Sequence, residues 1–395
     1  MKISQRVQNI APSATIAMAT KAKQMVKDGQ DVISFALGEP DFPTPAHICE
    51  AADAAMAAGH TKYTAASGTD RLKNAIAAAT ERDLGLATKS TEVAISNGAK
   101  HTLTNVFATL LDPGDHVVLP APYWVSYAEL IGLFGGTWTE VAGSAERDFV
   151  PEISAIEAAI TDKTVAILFN SPNNPSGAVW DPEVIEALAD LAVRRDITII
   201  SDEIYKHIMY DGRKHASPAQ YGDEARKRTL IVDGVAKTYA MTGWRIGWLV
   251  GPEDFVKATG KLQSQMTSCP NTIAMEAAAD ALDASQDCVE EMRAEFAKRR
   301  DLIVGLLNDI PGVECRTPGG AFYAFPDVSS YYGKTVGGCE ITGSLAMCEY
   351  LLTNALISTV PGDAFGTDDF IRLSFACSDD EIIEGCKRLK DALAK

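Results

Sequence analysis

The chain contains no run of about eighteen apolar residues of the kind that spans a bilayer, and Met1 to Asn9 lacks the sustained apolar core of a secretory signal. Neither membrane insertion nor export is expected, and the expected location is the cytoplasm. Cysteine occurs at Cys49, Cys269, Cys288, Cys315, Cys339, Cys348, Cys377 and Cys386, never in a CxxC spacing. That pattern offers no metal-ligand spacing and no dense disulfide framework, and predicts reduced, mostly buried thiols. Positive charge is scarce: 36 Lys and Arg stand against 53 Asp and Glu, a formal net charge of −17. Such a balance argues against nucleic acid or an anionic membrane as partner, because both reward clustered cations. Internal repeats and low-complexity segments are also missing, apart from alanine-rich helices. What remains is 395 residues, 46% of them hydrophobic, enough for two or three soluble domains with a well-buried core.

The chemistry concentrates between Ser201 and Gly247. The short β-branched run Ile197 to Ile200 reads as a buried parallel strand that delivers Asp202, in Ser201-Asp202-Glu203-Ile204-Tyr205, to its carboxyl end. A second run, Thr229 to Val232, leads through Gly234, Val235 and Ala236 to Lys237, and on to Arg245. Open parallel sheets bind ligands at such strand ends. An acid, a lysine and an arginine placed there meet three needs of pyridoxal phosphate: a ring nitrogen to keep protonated, an aldehyde to trap and a phosphate to anchor. Taken singly, each reads as readily as a surface charge or a structural ion pair.

Along the rest of the chain, a polar arm with no core of its own precedes an amphipathic helix over Ala17 to Lys27, which Gly29 stops. Ala36 to Pro45 holds three prolines and a glycine and must be a shaped loop. Glu92 to Ser96 reads as a strand, Asn97-Gly98 as a turn and Ala99 to Leu111 as a helix. Strand, tight turn and helix start suit a phosphate, though many such turns hold nothing. His116 to Pro120 and Thr164 to Phe169 are further buried strands. Trp124, after the first, either packs in the core or stacks on a ring; Asn170 to Gly177, after the second, sets amides between prolines. Asp181 and Pro182 open a helix that runs to Arg195. This alternation predicts an α/β large domain with a mainly parallel sheet covered by helices on both faces. Beyond Pro252, helices are expected over Lys257 to Gln265, Ala284 to Leu307, Ser344 to Asn354 and Asp380 to Lys395. Strands at Gly319 to Pro326, Leu356 to Val360 and Phe370 to Phe375 make a smaller α+β domain. Arg372, inside the apolar Phe370 to Phe375, needs an anion, either a structural carboxylate or a ligand.

SDEIY at Ser201 and AKTYAMTGWRIG at Ala236 together resemble the class I aminotransferases of the aspartate aminotransferase superfamily, fold type I. LGEPDFPTP, FIRLSFA and PSATI extend the resemblance, closest to the bacterial aspartate aminotransferase branch, over nearly the whole chain. It implies a pyridoxal-phosphate-dependent enzyme acting on small amino acids and 2-oxo acids, as a homodimer with shared active sites. On that resemblance, Lys237 holds the cofactor's aldehyde and acts as general base, Asp202 keeps the ring nitrogen protonated, and Tyr205 and Asn174 donate to the ring oxygen. Trp124 stacks on the ring; Arg245, Gly98, Ala99 and Lys100 hold the phosphate, joined by Tyr63 from the other subunit. Arg372, Asn174, Gly38 and Trp124 meet the substrate, with Arg372 gripping its α-carboxylate in a two-pronged contact. Ser13, Thr15 and Lys100 read a second carboxylate, which points to aspartate or glutamate. The chain departs from the common pattern at Gly234 and Ala236, where many members carry serines, and at Ala11, where a lysine is frequent. With Met266 adding apolar surface, leaky dicarboxylate selectivity is expected.

The expected division is an arm with part of the small domain over 1–45, a large cofactor-binding domain over 46–285 and the small domain over 286–395. Rivals are an aminotransferase of aromatic or neutral amino acids, a lyase on the same fold, and a cofactor-sensing regulator. The last finds no basic module before Ser13 and the wrong charge for DNA.

Overall fold

The structure, a computed structural model, describes residues 1–10 and 14–395, and of 14–16 the backbone alone. Among these residues seven strands form the central sheet: β1 (Val93–Ser96), β2 (His116–Ala121), β3 (Thr137–Ala142), β4 (Thr164–Asn170), β5 (Thr198–Asp202), β6 (Thr229–Gly234) and β7 (Gly247–Val250). Their order is β1-β7-β6-β5-β4-β2-β3. All run parallel except β7, which is antiparallel to both its neighbours. β2 and β6 are buried at every position, as a sheet covered on both faces requires. β3 is the exception, exposed from Thr137 to Glu140 because it closes the sheet at its edge.

Several local expectations differ from the structure. A helix over Thr272–Asp283 lies in a stretch to which the sequence assigns no element, and the long connector begins at Asp287 rather than Ala284. Residues 274–279 and 281–282 of the first helix are all buried, Glu276 among them, which pairs with Arg71 at 2.7 Å. Asp181 occupies the cap position of the Pro182–Arg195 helix, but its side chain bonds no helix N–H and faces Arg213 Nη1 at 3.4 Å.

A second core joins the two ends of the chain. Met18, Ile33 and Phe35 pack with Phe296, Ile357, Leu373 and Leu389, and Ile33–Ser34 pairs in parallel with Ile357–Ser358. Beside it β8 (Tyr323–Ala324), β9 (Val360–Pro361) and β10 (Ile371–Ser374) form an antiparallel sheet in the order β9-β10-β8. β10 carries Arg372 towards the carboxyl ends of the large sheet. No helix among the described residues is long and apolar enough to cross a membrane.

The turns leaving β5 and β6 are tied together by buried charge. Lys206 Nζ lies 2.9 Å from Asp233 and 3.3 Å from Asp83, which His207 Nε2 also approaches at 3.2 Å. Asp233 Oδ1 accepts from the N–H of Gly234 at 2.7 Å, at the start of the Val235–Thr238 turn. Burial works against the lysine's charge, but Asp233 and Asp83 outweigh it and raise its pKa. Removing one member of a buried ion cluster strands the others, at a cost of about 3–5 kcal/mol. Lys206→Met is therefore expected to lower the unfolding free energy by that amount in urea titrations; a loss below about 1 kcal/mol would show that the cluster is no structural tie.

Candidate active site

The carboxyl ends of β1, β2, β4, β5 and β6 converge on a cavity of about 340 Å³. At its β1 end, Gly98 caps the Ala99–Leu110 helix with φ +88°. A Cβ there would lie 2.5 Å from Arg245 Nη2, and a Cβ on Gly247 would lie 2.3 Å from the Ala99 nitrogen. Two glycines thus let a guanidinium close on a helix amino terminus, where free N–H groups and the helix dipole already favour an anion. Arg245 itself sits in the left-handed region (φ 61°), and its Nη1 donates to the Thr242 carbonyl at 2.9 Å.

Asp202 ends β5 and is 4% exposed. Its Oδ2 accepts from the Tyr127 hydroxyl at 2.7 Å and its Oδ1 from the Ile204 N–H at 3.2 Å. Burial raises its pKa to about 6; the two hydrogen bonds oppose the rise, and Asp233 and Glu203 add to it. Lys237, in the turn after β6, donates to the carbonyl of Gly38 in the proline-rich loop. Burial lowers its pKa from 10.5 to about 8; Glu39 opposes this, while Arg372 and Arg245 add to it.

Arg372 is 2% exposed, and its partners are neutral. Nη1 donates to Asn174 Oδ1 at 2.9 Å, Nη2 to the Ala36 carbonyl at 2.7 Å, and Nε has no partner. The Tyr323 ring lies 4.6 Å from the guanidinium. Of the two partners left open by the sequence, no structural carboxylate within salt-bridge distance occurs among the described residues. Trp124 and Lys100 form another wall, the Lys100 Nζ standing 4.7 Å over the indole.

Of the residues singled out from the sequence, Gly38, Ala99, Lys100, Trp124, Asn174, Asp202, Tyr205, Lys237, Arg245 and Arg372 line this one cavity, with Gly98 directly behind. Tyr63 does not reach it and is 89% exposed. Ser13 and Ala11 lie outside the described residues, as does the side chain of Thr15. Met266 ends the Glu253–Met266 helix half-exposed, away from the lining. Gly234 cannot be replaced by serine without a clash, since a Cβ there would meet the Ile246 carbonyl oxygen at 2.8 Å. Tyr127, Asn170, Thr242 and Tyr323 line the cavity and were not singled out. The spacing of Tyr127 from Trp124 and the alternation through Tyr323 were the available signals, and both read equally as core packing.

The arrangement fits pyridoxal phosphate. It holds a cradle for a phosphate, a buried carboxyl for a ring nitrogen, an amine of lowered pKa for an aldehyde, and a buried guanidinium with an unpaired N–H for a carboxylate. The family model for aminotransferase class I and II matches residues 30–389. The chain is 42% identical to the aspartate aminotransferase of Streptomyces avermitilis, covering 100% of this chain and 97% of the relative. It is also 42% identical to the probable aspartate/prephenate aminotransferase of Aquifex aeolicus, covering 99% and 98%. Among solved structures it is similar to the aspartate aminotransferase of Thermus thermophilus with maleate, at a TM-score of 0.94, 41% identity and 100% coverage of both chains.

The lowered pKa of Lys237 has a sign that stability measurements can read. Between about pH 8 and 10.5 the unfolded chain holds the proton that the folded chain has lost, so stability rises with pH across that window. In cofactor-free protein, Lys237→Met is expected to be the more stable form at pH 7, by on the order of 3 kcal/mol. That advantage should shrink as the pH passes from 8 to 10. An advantage of equal size at both ends of the window would show that the amine is not held in the charged-disfavoured state described.

Proposed function

We propose a substrate class, residue roles and an assembly for this chain, which belongs to the class I and II aminotransferases: it is a pyridoxal-phosphate-dependent enzyme of fold type I that moves an amino group between an amino acid and a 2-oxo acid. The donor we assign is aspartate or glutamate. The observation that carries this is Lys100, a cation on the cavity wall whose one close partner among the described residues is the Trp124 ring. A cation left without a countercharge by its own chain suits a carboxylate brought by the substrate. The names of the relatives, and the dicarboxylate maleate with the Thermus protein, support the same class.

Bound pyridoxal phosphate supplies an aldehyde that takes the substrate amine and a ring that accepts electrons from the neighbouring carbon. Lys237 is the group that holds the aldehyde at rest. Once freed, its Nζ takes the proton from the substrate α-carbon, and a pKa near 8 makes the neutral amine plentiful enough to do so. Asp202 keeps the ring nitrogen protonated, and Tyr127 and the Ile204 N–H fix the carboxylate's orientation. Tyr205 and Asn174 donate to the ring oxygen, and Trp124 covers a ring face. Arg245 and the amino terminus at Gly98 and Ala99 hold the phosphate. Arg372, oriented by Asn174 and Ala36, grips the α-carboxylate. Neutral and aromatic donors are the second reading, favoured because Lys100 is the single cation of the wall that these roles leave for the side chain.

The assembly we assign is a homodimer with shared sites. Tyr63 lies in a turn held by its neighbours, where the Thr64 N–H donates to Cys269 Sγ and the Thr272 hydroxyl to the Lys62 carbonyl, and it is exposed and outside the lining of its own cavity. Residues 1–10 are exposed throughout. Both features make sense as contributions to a second copy. The eight cysteines are free thiols, of which Cys315, Cys348 and Cys386 are buried, fewer than expected, and free thiols suit a reducing, cytoplasmic location.

Two experiments test the reading. The kcat/KM for aspartate, glutamate, phenylalanine and alanine is expected to fall for the dicarboxylic donors by about 10- to 100-fold in Lys100→Met, one charge-assisted contact being worth roughly 1.5–3 kcal/mol. An unchanged aspartate-to-alanine ratio would remove Lys100 from side-chain recognition. In mixed dimers of Tyr63→Ala and Lys237→Ala chains, one site regains both native residues, so half the sites should recover native cofactor affinity. Affinity as weak as in the Tyr63→Ala homodimer would show that Tyr63 serves no partner.

A further inference from the structure

Tyr205 and Tyr323 are buried at 4% and 0% exposure, and their hydroxyl oxygens lie 2.7 Å apart. Each hydroxyl carries one proton, so within the pair one tyrosine donates and the other accepts. A Tyr205 that donates to Tyr323 has no proton left for an oxygen in the cavity. We propose that Tyr323 is a positioning residue: its hydroxyl donates to Tyr205 and thereby fixes Tyr205 as the donor to the cofactor's ring oxygen. The inference rests on the role given to Tyr205 above and adds a residue to it. A hydroxyl that accepts one hydrogen bond gives a stronger one, because bonds in a chain polarise one another.

Three features hold Tyr323 in this role. Its backbone is fixed in β8, paired through Ser374 to β10, and its ring meets those of Phe322 at 4.8 Å and Tyr205 at 5.8 Å. Its face lies 4.6 Å from the Arg372 guanidinium, a cation that favours release of the phenolic proton. Burial raises the Tyr323 pKa, and Arg372 is the first influence working against that rise. On the hydroxyl's other side runs the proline-rich loop, which passes so close at Gly38 that a Cβ there would lie 2.7 Å from the Tyr323 oxygen. Gly38 is not in the left-handed region, so the demand for glycine is one of space imposed by this hydroxyl. The ring is thus confined on the Arg372 side, the loop side and the Tyr205 side, and the hydroxyl is left directed at Tyr205.

The test uses holoenzyme and reads the absorbance of the lysine-bound cofactor against pH, alongside kcat for several amino donors. Tyr323→Phe removes the hydroxyl and keeps the ring on Arg372. A weaker Tyr205 donor stabilises the unprotonated lysine linkage less, so the absorbance midpoint should rise by roughly half a pH unit, and kcat should fall about three- to tenfold for every donor, the worth of one neutral hydrogen bond. In a Tyr205→Phe background, the same substitution should move neither quantity. Gly38→Ala, which presses on the hydroxyl from the loop, should shift the midpoint in the same direction. A midpoint unchanged by Tyr323→Phe but moved by Tyr205→Phe overturns the proposal, as does an undiminished effect of Tyr323→Phe without the Tyr205 hydroxyl. A wild-type protein with no lysine-bound chromophore would overturn the roles assigned in the site, and this one with them, and is distinguished by appearing before any substitution is made.

Discussion

Arg372, Lys237 and Asp202 are buried around one cavity, and among the described residues none of them forms a salt bridge. Each is held by neutral groups instead: Arg372 by the Asn174 amide and the Ala36 carbonyl, Lys237 by the Gly38 carbonyl, Asp202 by the Tyr127 hydroxyl and the Ile204 N–H. Dipoles orient a buried charge without cancelling it, so the charge stays available to a ligand. The rest of the molecule can be understood as the means of keeping these groups close yet apart. Parallel strands deliver Asp202 and the Lys237 turn side by side, while Arg372 arrives from the other domain-sized core on β10. The loop of Ala36 and Gly38 runs between them and supplies the carbonyls. A core break or strand slip that let a carboxylate reach Arg372 would satisfy the charge and remove its use.

The opposite face of the same strands obeys the opposite rule. Successive residues of a strand point to opposite faces, so Glu203 leaves β5 away from the cavity. There it is fully buried, 2.9 Å from His215 Nε2 and from Ser201 Oγ. Burial would raise its pKa, but His215 and Lys206 outweigh burial and lower it, whereas the pKa of Asp202 next to it is raised. Lys206 likewise forms ion pairs with Asp83 and Asp233. Two adjacent carboxyls on one turn thus differ in acidity because one has a cationic partner and the other has dipoles.

The strand ends were legible because short β-branched runs mark buried parallel strands, and their charges because an acid, a lysine and an arginine together meet the needs of one cofactor. What was not read has a separate cause in each case. The Thr272–Asp283 helix sets Thr272, Glu276, Asp280 and Asp283 at helical spacing among alanines, a signal that was present and was not read. β3, exposed from Thr137 to Glu140, lacks the unbroken apolar run by which the buried strands were read. Tyr127 and Tyr323 act through their hydroxyls, one on Asp202 and the other on Tyr205, while their rings pack as any core aromatic would. A linear sequence reports the ring and not the direction of the hydroxyl. Tyr63 was singled out, but the chain leaves it exposed and outside the lining of its own cavity.

The acidity of Asp202 connects the two faces. With a pKa raised to about 6 by burial, this carboxyl becomes protonated in a growing fraction as the pH falls through that value. In the role proposed for Asp202, a protonated ring nitrogen against it would favour the carboxylate, so that cofactor binding and loss of the Asp202 proton would promote each other by equal amounts of free energy. Asp233 and Glu203 act against this linkage, since each is a nearby anion that raises the Asp202 pKa. Lys206 stands on Asp233, and His215 on Glu203. Each of those anions has a partner of its own behind the sheet, whereas Asp202, among the described residues, has no salt-bridge partner and is left to whatever enters the cavity.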